Sequence, residues 1–274
     1  MLFYHVEQIM ADGGATSTHS QSLERGLAIL SAFRSGRPLL GVSELGREVG
    51  LGRSTAHRYV ATLAMLGYLQ QDAATKKYRL GPRVLDLGFS AINSMELREV
   101  AAPHLRRLSD ETGYTVNMAI LEGLDIVYVE RCRSTGAGQR EIDLNLHVGS
   151  RLPAYCTSLG KVLLAFLPPA ERKSAIQRVE LTRRGPNTIV TRAAFTAELE
   201  RVRAQGFAIN NEELAYGLRS IAAPVLDHEG HAAGAINLAV HSSMVSMEDL
   251  AARLSETVRR AAADISAHLG YRPA

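Results

Sequence analysis

Two short helical stretches joined by a tight glycine turn most restrict what this chain can fold into. The first is predicted over 43–49, with Ser43 as its N-cap and Gly50 in the left-handed conformation at its end. The second is predicted over 54–66 by an apolar stripe at helical spacing. The residues of that stripe, expected to be buried, are Ala56, Val60, Leu63 and Leu66. This arrangement predicts a helix-turn-helix.

The second of these helices is polar near its start. In a helix-turn-helix bound to DNA, that end lies in the major groove, close to base edges and phosphates. The residues expected there are Arg53, Ser54, Thr55, His57 and Arg58. A preceding helix, predicted over 22–33 with Ser22 as N-cap, would complete a three-helix core.

A hairpin is predicted next, with strands over 68–71 and 76–80 around the turn 72–75. Its cations, Lys76, Lys77 and Arg79, would add salt-dependent affinity for a phosphate backbone. The hairpin could equally be a small sheet that seals the helical core, and one hairpin can do both.

Charge is distributed unevenly along the chain. Residues 20–90 contain ten Lys and Arg against five Asp and Glu, whereas residues 91–274 contain twenty-one of each. This excess favours an anionic partner for the N-terminal part, with nucleic acid as the leading candidate. A solvated basic face without a partner is the alternative that charge alone leaves open.

The period of the apolar residues changes after two further helices, predicted over 82–96 and 97–112. Beyond them, strands and helices are mixed, which predicts an α+β domain with helices flanking an antiparallel sheet. The strands are predicted over 115–121, 124–133, 139–146, 207–210, 218–226 and 232–240. The helices are predicted over 157–167, 171–179, 192–205 and 248–268. The expected organisation is a loose tail (1–20), a DNA-binding domain (21–81), a linker helix (82–96) and a C-terminal domain (97–274).

Polar residues among small ones indicate a ligand pocket in the C-terminal domain. Asn117, Ser220 and Asn237 each lie beside alanines on their strands, which suits a mostly apolar pocket with a few placed polar groups. Core polar groups bonded to backbone are the alternative. The loop before Thr157 leads into a helix whose first turn could bind a carboxylate, or whose N–H groups Thr157 could simply cap.

These features together resemble the isocitrate-lyase-regulator (IclR) family of transcriptional regulators. The N-terminal likeness lies in SLERGLAILSAF, VSELGREVGLGRSTAHRYVATLAMLGYLQQD and KKYRLGPRVLDLG. The C-terminal likeness lies in GSRLPAYCTSLGKVLLAFL and GFAINNEELAYGLRSIAAPVLDHEGHAAGAINLAV. The runs LPAYCTSLGK and LAVHSSMVSMEDL are similar to the subgroup that regulates aromatic-acid and β-ketoadipate catabolism. The aromatic acids of that subgroup are protocatechuate and 4-hydroxybenzoate.

The resemblance implies a winged helix-turn-helix, a linker helix that helps to pair subunits, and a GAF-like effector domain. It implies double-stranded promoter DNA and a small organic acid as ligands, and a homodimer, with a dimer of dimers on DNA as the alternative. The ligand would shift the subunit arrangement and so the spacing of the two recognition helices. A regulator of another carbon source, of the glyoxylate or pyruvate type, remains the alternative.

The effector residues that the resemblance carries over, with Thr157 added, are Leu144, Leu152, Thr157, Ser158, Leu159, Asn210, Ser220, Asn237 and Ala239. Three positions depart from small-acid sensors of the family. Ser158-Leu159 replaces Gly-Ala, Asn210 replaces an acidic residue, and Ser220 replaces Cys. A neutral Asn210 removes one repulsion against an anionic ligand, so an organic acid is still expected, but a different one.

Other functional classes have little support in the sequence. No GxSxG, HExxH, P-loop or GxGxxG motif stands between a strand and a helix, so we expect no enzyme, no metal and no cofactor. One remaining alternative is a thiol nucleophile at Cys156 near His147, and another is a ligand-binding module for a protein partner. A third is a metal site, whose ligands would be Cys132, Cys156, His147 and His241, although their spacing matches no standard ligand set. The two cysteines do not form a disulfide framework. No segment is long and apolar enough to span a membrane, and none has the pattern of a signal peptide. These features predict a cytoplasmic protein.

Overall fold

The computed structural model describes residues 20–34, 36–93, 96–133 and 145–272, which divide into two compact units between Ala91 and Ile92. In the described part of the N-terminal unit, three helices precede a hairpin and the start of a further helix. These elements are α1 (Gln21–Ser31), α2 (Val42–Glu48), α3 (Arg53–Met65), β1 (Leu69–Gln71), β2 (Tyr78–Leu80) and α4 (Arg83–Asn93). Antiparallel pairing of Leu69 with Leu80 closes the hairpin.

The first two helices are capped by other residues than the sequence predicted. Each begins one residue earlier than expected, so the predicted caps, Ser22 and Ser43, lie inside the helices. Ser20 caps α1, where its hydroxyl accepts the N–H of Leu23. At α2, the N-cap Gly41 has no side chain, and its N–H donates instead to the Glu44 carboxylate at 2.7 Å.

The N-terminal core forms where α1, α2 and α3 meet the hairpin, around Ile29, Leu40, Leu45 and Val60. The prediction that Leu66 is buried was wrong, because 44% of its surface is exposed at the C-cap of α3. Apolar residues at helical spacing therefore need not all face the core of their own unit.

The C-terminal unit is a six-stranded antiparallel sheet between helices, which confirms the predicted α+β class. Its strands are β3 (Thr115–Glu122), β4 (Asp125–Cys132), β5 (Arg151–Pro153), β6 (Ala208–Asn211), β7 (Leu218–Leu226) and β8 (Ala232–His241). Its helices are α5 (Glu96–Thr112), α6 (Ser158–Ala165), α7 (Pro169–Arg178), α8 (Arg192–Gln205), α9 (Met247–Asp249) and α10 (Ser255–His268). The strand order β5-β4-β3-β8-β7-β6 places the first and last long strands, β3 and β8, side by side.

Alternation along the strands gives this sheet two different faces. One face packs against α6, α7 and α8, and the small residues Ala119, Ala222 and Ala235 lie there. The opposite face packs against α5 and α10 through larger residues such as Met118 and Ile236. Small side chains on the first face leave volume between the sheet and its helices.

Three predicted elements differ from those observed. The strand predicted over 139–146 falls outside the described residues except for Asn145 and Leu146, which are in no strand. The short strand β5 and the single 3-10 turn Ala154–Cys156 replace the loop expected before α6. A π-helical segment, Leu250–Leu254, interrupts the predicted last helix. Within the described ranges, we found no helix with the length and hydropathy of a membrane span.

Gly81 illustrates how closely the backbone packs in the N-terminal unit. A Cβ at Gly81 would lie 2.2 Å from the carbonyl oxygen of Gly67, far inside van der Waals contact. At Gly88, inside α4, a Cβ would meet nothing within 4 Å. Gly81 is therefore needed for close approach, whereas Gly88 is not.

We expect Gly81→Ala to destabilise the N-terminal unit by about 3 kcal/mol, because the backbone must move to admit the methyl group. Gly88→Ala should instead stabilise α4 by about 0.5 to 1 kcal/mol. Chemical unfolding of each full-length variant, followed by circular dichroism, measures both. Equal stabilities of the two variants would contradict this account of the backbone packing.

Candidate functional site

Helix α3 presents a polar surface at its N-terminal end. Of the residues predicted to contact DNA, Arg53, Ser54, His57 and Arg58 are exposed and Thr55 is half-buried. Ala56 and Val60 are fully buried and fix α3 against the core. The first turn of α3 carries no acidic residue, so the positive end of the helix dipole and the two arginines add in sign.

The predicted hairpin cations are engaged to different degrees. Lys76 is exposed in the turn, in a left-handed conformation, and Arg79 donates from Nε to Gln70 on the partner strand. Lys77 forms an ion pair with Glu44 at 3.2 Å. The backbone N–H of Gly41 and then Lys77 lower the pKa of Glu44. Glu44, which the sequence analysis missed, therefore links the start of α2 to the hairpin.

A cavity that opens to solvent lies in the C-terminal unit on the small-residue face of the sheet, and its space together with the solvent at its mouth amounts to about 680 Å³. The predicted effector residues that line it are Thr157, Asn210, Ser220, Asn237 and Ala239. Asn117, predicted as a polar group of the pocket, lines it as well. The lining residues that were not predicted are Tyr114, Thr115, Tyr128, Arg131, Leu146, Leu214, Leu218, Val240, His241 and Met244.

The remaining predicted effector residues lie elsewhere. Ser158 is fully buried directly behind the lining, where its hydroxyl is 2.7 Å from that of Ser220. Leu159, on α6, is buried in the core of this face, Leu152 packs against that core, and neither belongs to the described lining. Leu144 is outside the described residues.

Arg131 is the lining residue that sequence periodicity could not have found. Strict alternation along β4 would place Arg131 and Tyr128, three residues apart, on opposite faces of the sheet. The register between β3 and β4 shifts between Met118 and Ala119, where Asn117 pairs with Arg131 and Ala119 with Tyr128. This bulge turns both side chains toward the cavity.

Thr157 is the N-cap of α6, which is one of the two roles that the sequence predicted for this position. Its hydroxyl accepts the N–H of Gly160 at 3.0 Å and donates to the carbonyl of Ala154. Gly160 is required here, because a Cβ would lie 2.2 Å from the Ala154 oxygen. Capping therefore uses one of the N–H groups of the first turn, and the cap residue itself reaches the cavity.

A buried ion cluster lies beside the cavity and was not predicted. Lys161, on α6, is 1% exposed and donates to Glu198 at 2.8 Å, to Glu213 at 2.5 Å and to the carbonyl of Ile209. Glu213 in turn donates its backbone N–H to the side-chain oxygen of Asn210, which lines the cavity. The cluster thus joins α6, α8 and β6 to the cavity wall.

The two carboxylates of this cluster differ in their electrostatics. Burial acts to raise the pKa of Glu198, but Lys161 and Arg201 together hold it below its ordinary value. Burial raises the pKa of Glu213 against the opposing effect of Lys161. Within the described chain, Oε2 of Glu213 is buried without a hydrogen-bond partner, which agrees with the upward shift.

The thiol considered as a nucleophile is poorly suited to that role. Cys156 is fully buried, and burial raises its pKa to about 12, so the thiol stays neutral near pH 7. His147 is exposed, with Nδ1 2.9 Å from the Val148 carbonyl. Where the structure describes the chain, no three His, Cys, Asp or Glu side chains are grouped as metal ligands.

Comparison with known proteins relates both units to one family. Residues 22–73 match the IclR helix-turn-helix domain, and residues 89–267 match the C-terminal domain of bacterial IclR transcriptional regulators. The chain is 36% identical over 244 residues to the Pca regulon regulatory protein of Pseudomonas putida, covering 89% of this chain and 82% of that protein. It is 34% identical over 251 residues to the regulator XynR of Escherichia coli K12, covering 92% and 98%.

A solved structure shares the fold as well. The chain resembles an IclR homolog from Microbacterium hydrocarbonoxydans in complex with 4-hydroxybenzoate, with a TM-score of 0.78 and 27% identity. The match covers 91% of this chain and 99% of the homolog.

We expect Lys161→Met to destabilise the C-terminal unit by about 3 to 5 kcal/mol near pH 8, because two buried carboxylates lose their shared cation. Without it, the pKa of Glu213, which burial already raises, should lie further above that of the unfolded chain, whereas Glu198 keeps Arg201 as a partner. The free energy of unfolding of the variant is then highest below the pKa of the unfolded chain, near 4.5. It falls as the pH rises through the pKa of the folded state.

The deficit of Lys161→Met should accordingly shrink from pH 8 to pH 5, as measured by thermal unfolding of the full-length protein. Lys173→Met, which removes an exposed lysine from α7, is the matched control and should change little at either pH. A deficit independent of pH would show that lost packing, rather than uncompensated charge, is the cause.

Proposed function

The chain belongs to the IclR family of bacterial transcriptional regulators, and from this membership we propose how it acts. It binds promoter DNA as a homodimer through α3 and the β1–β2 hairpin. A small aromatic acid, held in the cavity of the C-terminal unit, controls that binding. The protein acts in the cytoplasm, where the promoter is.

The polar end of α3 supports the DNA contact. Arg53 and Arg58 are exposed there, and the hairpin adds Lys76 and Arg79 on the same unit. Guanidinium groups can donate two hydrogen bonds to guanine in the major groove, and the lysines and arginines of the hairpin suit phosphates. Base contacts are thus assigned to α3 and sequence-independent affinity to the hairpin.

Exposed leucines support pairing of two copies. In α1, 63% of Leu23 and 53% of Leu27 are exposed, and in α4, 60% of Leu85 and 55% of Leu87 are exposed. Leu23 and Leu27 lie one turn apart on the same side of α1, whereas Leu85 and Leu87, two residues apart, lie on different sides of α4. Large apolar side chains left exposed on neighbouring turns of one helix face commonly mark a surface that another chain covers. A homodimer covers them and presents two recognition helices to the two halves of a pseudo-palindrome.

The cavity carries the proposal of an aromatic-acid ligand. Tyrosine rings and leucines on its walls suit a flat apolar body, and the amides and hydroxyls of β3, β6, β7 and β8 suit the polar groups of such an acid. The homolog from Microbacterium hydrocarbonoxydans was solved with 4-hydroxybenzoate, an acid of this class. Its fold is similar across nearly the whole chain.

We expect Arg53→Ala and Arg58→Ala each to weaken DNA binding about tenfold or more, because each removes a contact to a base edge or phosphate. The probe is a duplex that the wild-type protein selects from random DNA, and binding is measured by fluorescence anisotropy at several salt concentrations. Arg178→Ala, an exposed arginine on α7 in the other unit, should bind as wild type does. Unchanged affinity in both α3 variants at moderate salt would contradict the assigned role of this helix.

Protocatechuate and 4-hydroxybenzoate should raise the melting temperature of the protein by a few degrees, since a ligand selective for the folded state must stabilise it. β-Ketoadipate, pyruvate and glyoxylate form the comparison set in the same thermal-shift assay. Stabilisation by pyruvate or glyoxylate alone would replace the aromatic-acid proposal with a sensor of small keto acids.

A further inference from the structure

We propose that Arg131, Asn117 and Asn237 form a chain of hydrogen bonds, here called the relay, that ends in an N–H donor facing the cavity. The relay makes the cavity selective for a carboxylate over a neutral group of the same shape. This inference rests on the proposed function, because it takes the cavity to be the effector site. It adds the residues that decide which end of the effector is recognised and by what charge.

The three side chains lie in one row across three adjacent strands. Asn117 on β3 pairs in register with Arg131 on β4 and with Asn237 on β8. All three line the cavity. The row therefore depends on backbone pairing, and the bulge that reorients β4 is what brings the guanidinium into it.

Hydrogen-bond chemistry fixes the direction of the relay. A guanidinium has donors only, so the atom of Asn117 that receives Nη1 of Arg131 at 2.8 Å must be its oxygen. Nδ2 of Asn117 then donates to Oδ1 of Asn237 at 2.9 Å. Because its oxygen is already occupied, Asn237 is left with Nδ2 to offer to the cavity.

A second asparagine is oriented in the same sense. Oδ1 of Asn210 accepts the backbone N–H of Glu213 at 2.9 Å, which leaves Nδ2 of Asn210 as the group for the cavity. Burial raises the pKa of Tyr128 to about 12, so its hydroxyl remains protonated and can donate. The polar groups so oriented are therefore mainly donors, as an anion requires.

The acids described around the cavity are already paired with cations. No Asp or Glu occurs among the described lining residues. Glu130, next to Arg131 in the chain, pairs with Arg98 at 3.0 Å, and Glu213, behind Asn210, pairs with Lys161 at 2.5 Å. Among the residues that the structure describes, the cavity thus offers a carboxylate amide donors beside Arg131 and no unpaired acid.

The test compares each acid with its carboxamide, which has nearly the same shape and no charge. The probes are 4-hydroxybenzoate with 4-hydroxybenzamide, and protocatechuate with 3,4-dihydroxybenzamide, titrated calorimetrically into the full-length protein. Wild type should bind at least one acid about tenfold or more tightly than its amide. Equal binding of acid and amide would overturn the relay while leaving the aromatic-ligand proposal intact.

Asn237→Asp replaces the terminal donor with an acceptor of the same size and should weaken binding of the acid about 10- to 100-fold. Asn211→Asp is the matched control, because Asn211 lies on β6 outside the described lining and its oxygen accepts from Arg219. It introduces the same charge into the same sheet and should bind the acid as wild type does.

Arg131→Gln provides an independent variant at a half-buried position, should Asn237→Asp fold poorly. It should lose most of the preference for acid over amide, with binding of the amide nearly unchanged. An undiminished preference in Arg131→Gln would overturn the relay. If wild type binds none of the four compounds, the aromatic-acid part of the proposed function fails, and the relay with it.

Discussion

The buried ammonium of Lys161 is the interaction on which the geometry of the C-terminal unit depends. Three oxygens surround it, one from α8, one from the backbone of β6 and one from the segment that follows β6. Enclosing two carboxylates and one ammonium in a protein interior costs free energy that well-packed apolar residues would not cost. What the cluster provides is position, since it fixes Glu213 and through it the orientation of the Asn210 amide at the cavity.

The sequence predicted those features that follow from local periodicity. Both helices of the helix-turn-helix, the α+β class and most strands of the C-terminal sheet were found within a few residues, because each leaves an apolar pattern of its own period. Asn117, Ser220 and Asn237 were identified as polar residues among alanines, and the structure places all three in one cavity. That they bind an effector stays a prediction.

What local periodicity could not show depends on register and on tertiary charge. Arg131 reaches the cavity only because a bulge breaks the alternation of β4, and no residue type marks that bulge. The partners of Lys161 lie 37 and 52 residues away in sequence, so nothing near Lys161 indicates that it is buried. Leu159 was assigned to the pocket by family resemblance alone, and it is a buried core residue outside the described lining.

The pairing of β3 with β8 implies an order of events during synthesis. Asn117 and Asn237 are separated by 120 residues, so the row they form cannot exist until β8 has left the ribosome. The pairing within the hairpin, by contrast, joins residues no more than eleven apart in the chain. Local contacts of that kind close quickly and domains tend to fold in turn from the N-terminus. The N-terminal unit can therefore be complete on the nascent chain before the sheet of the C-terminal unit has formed.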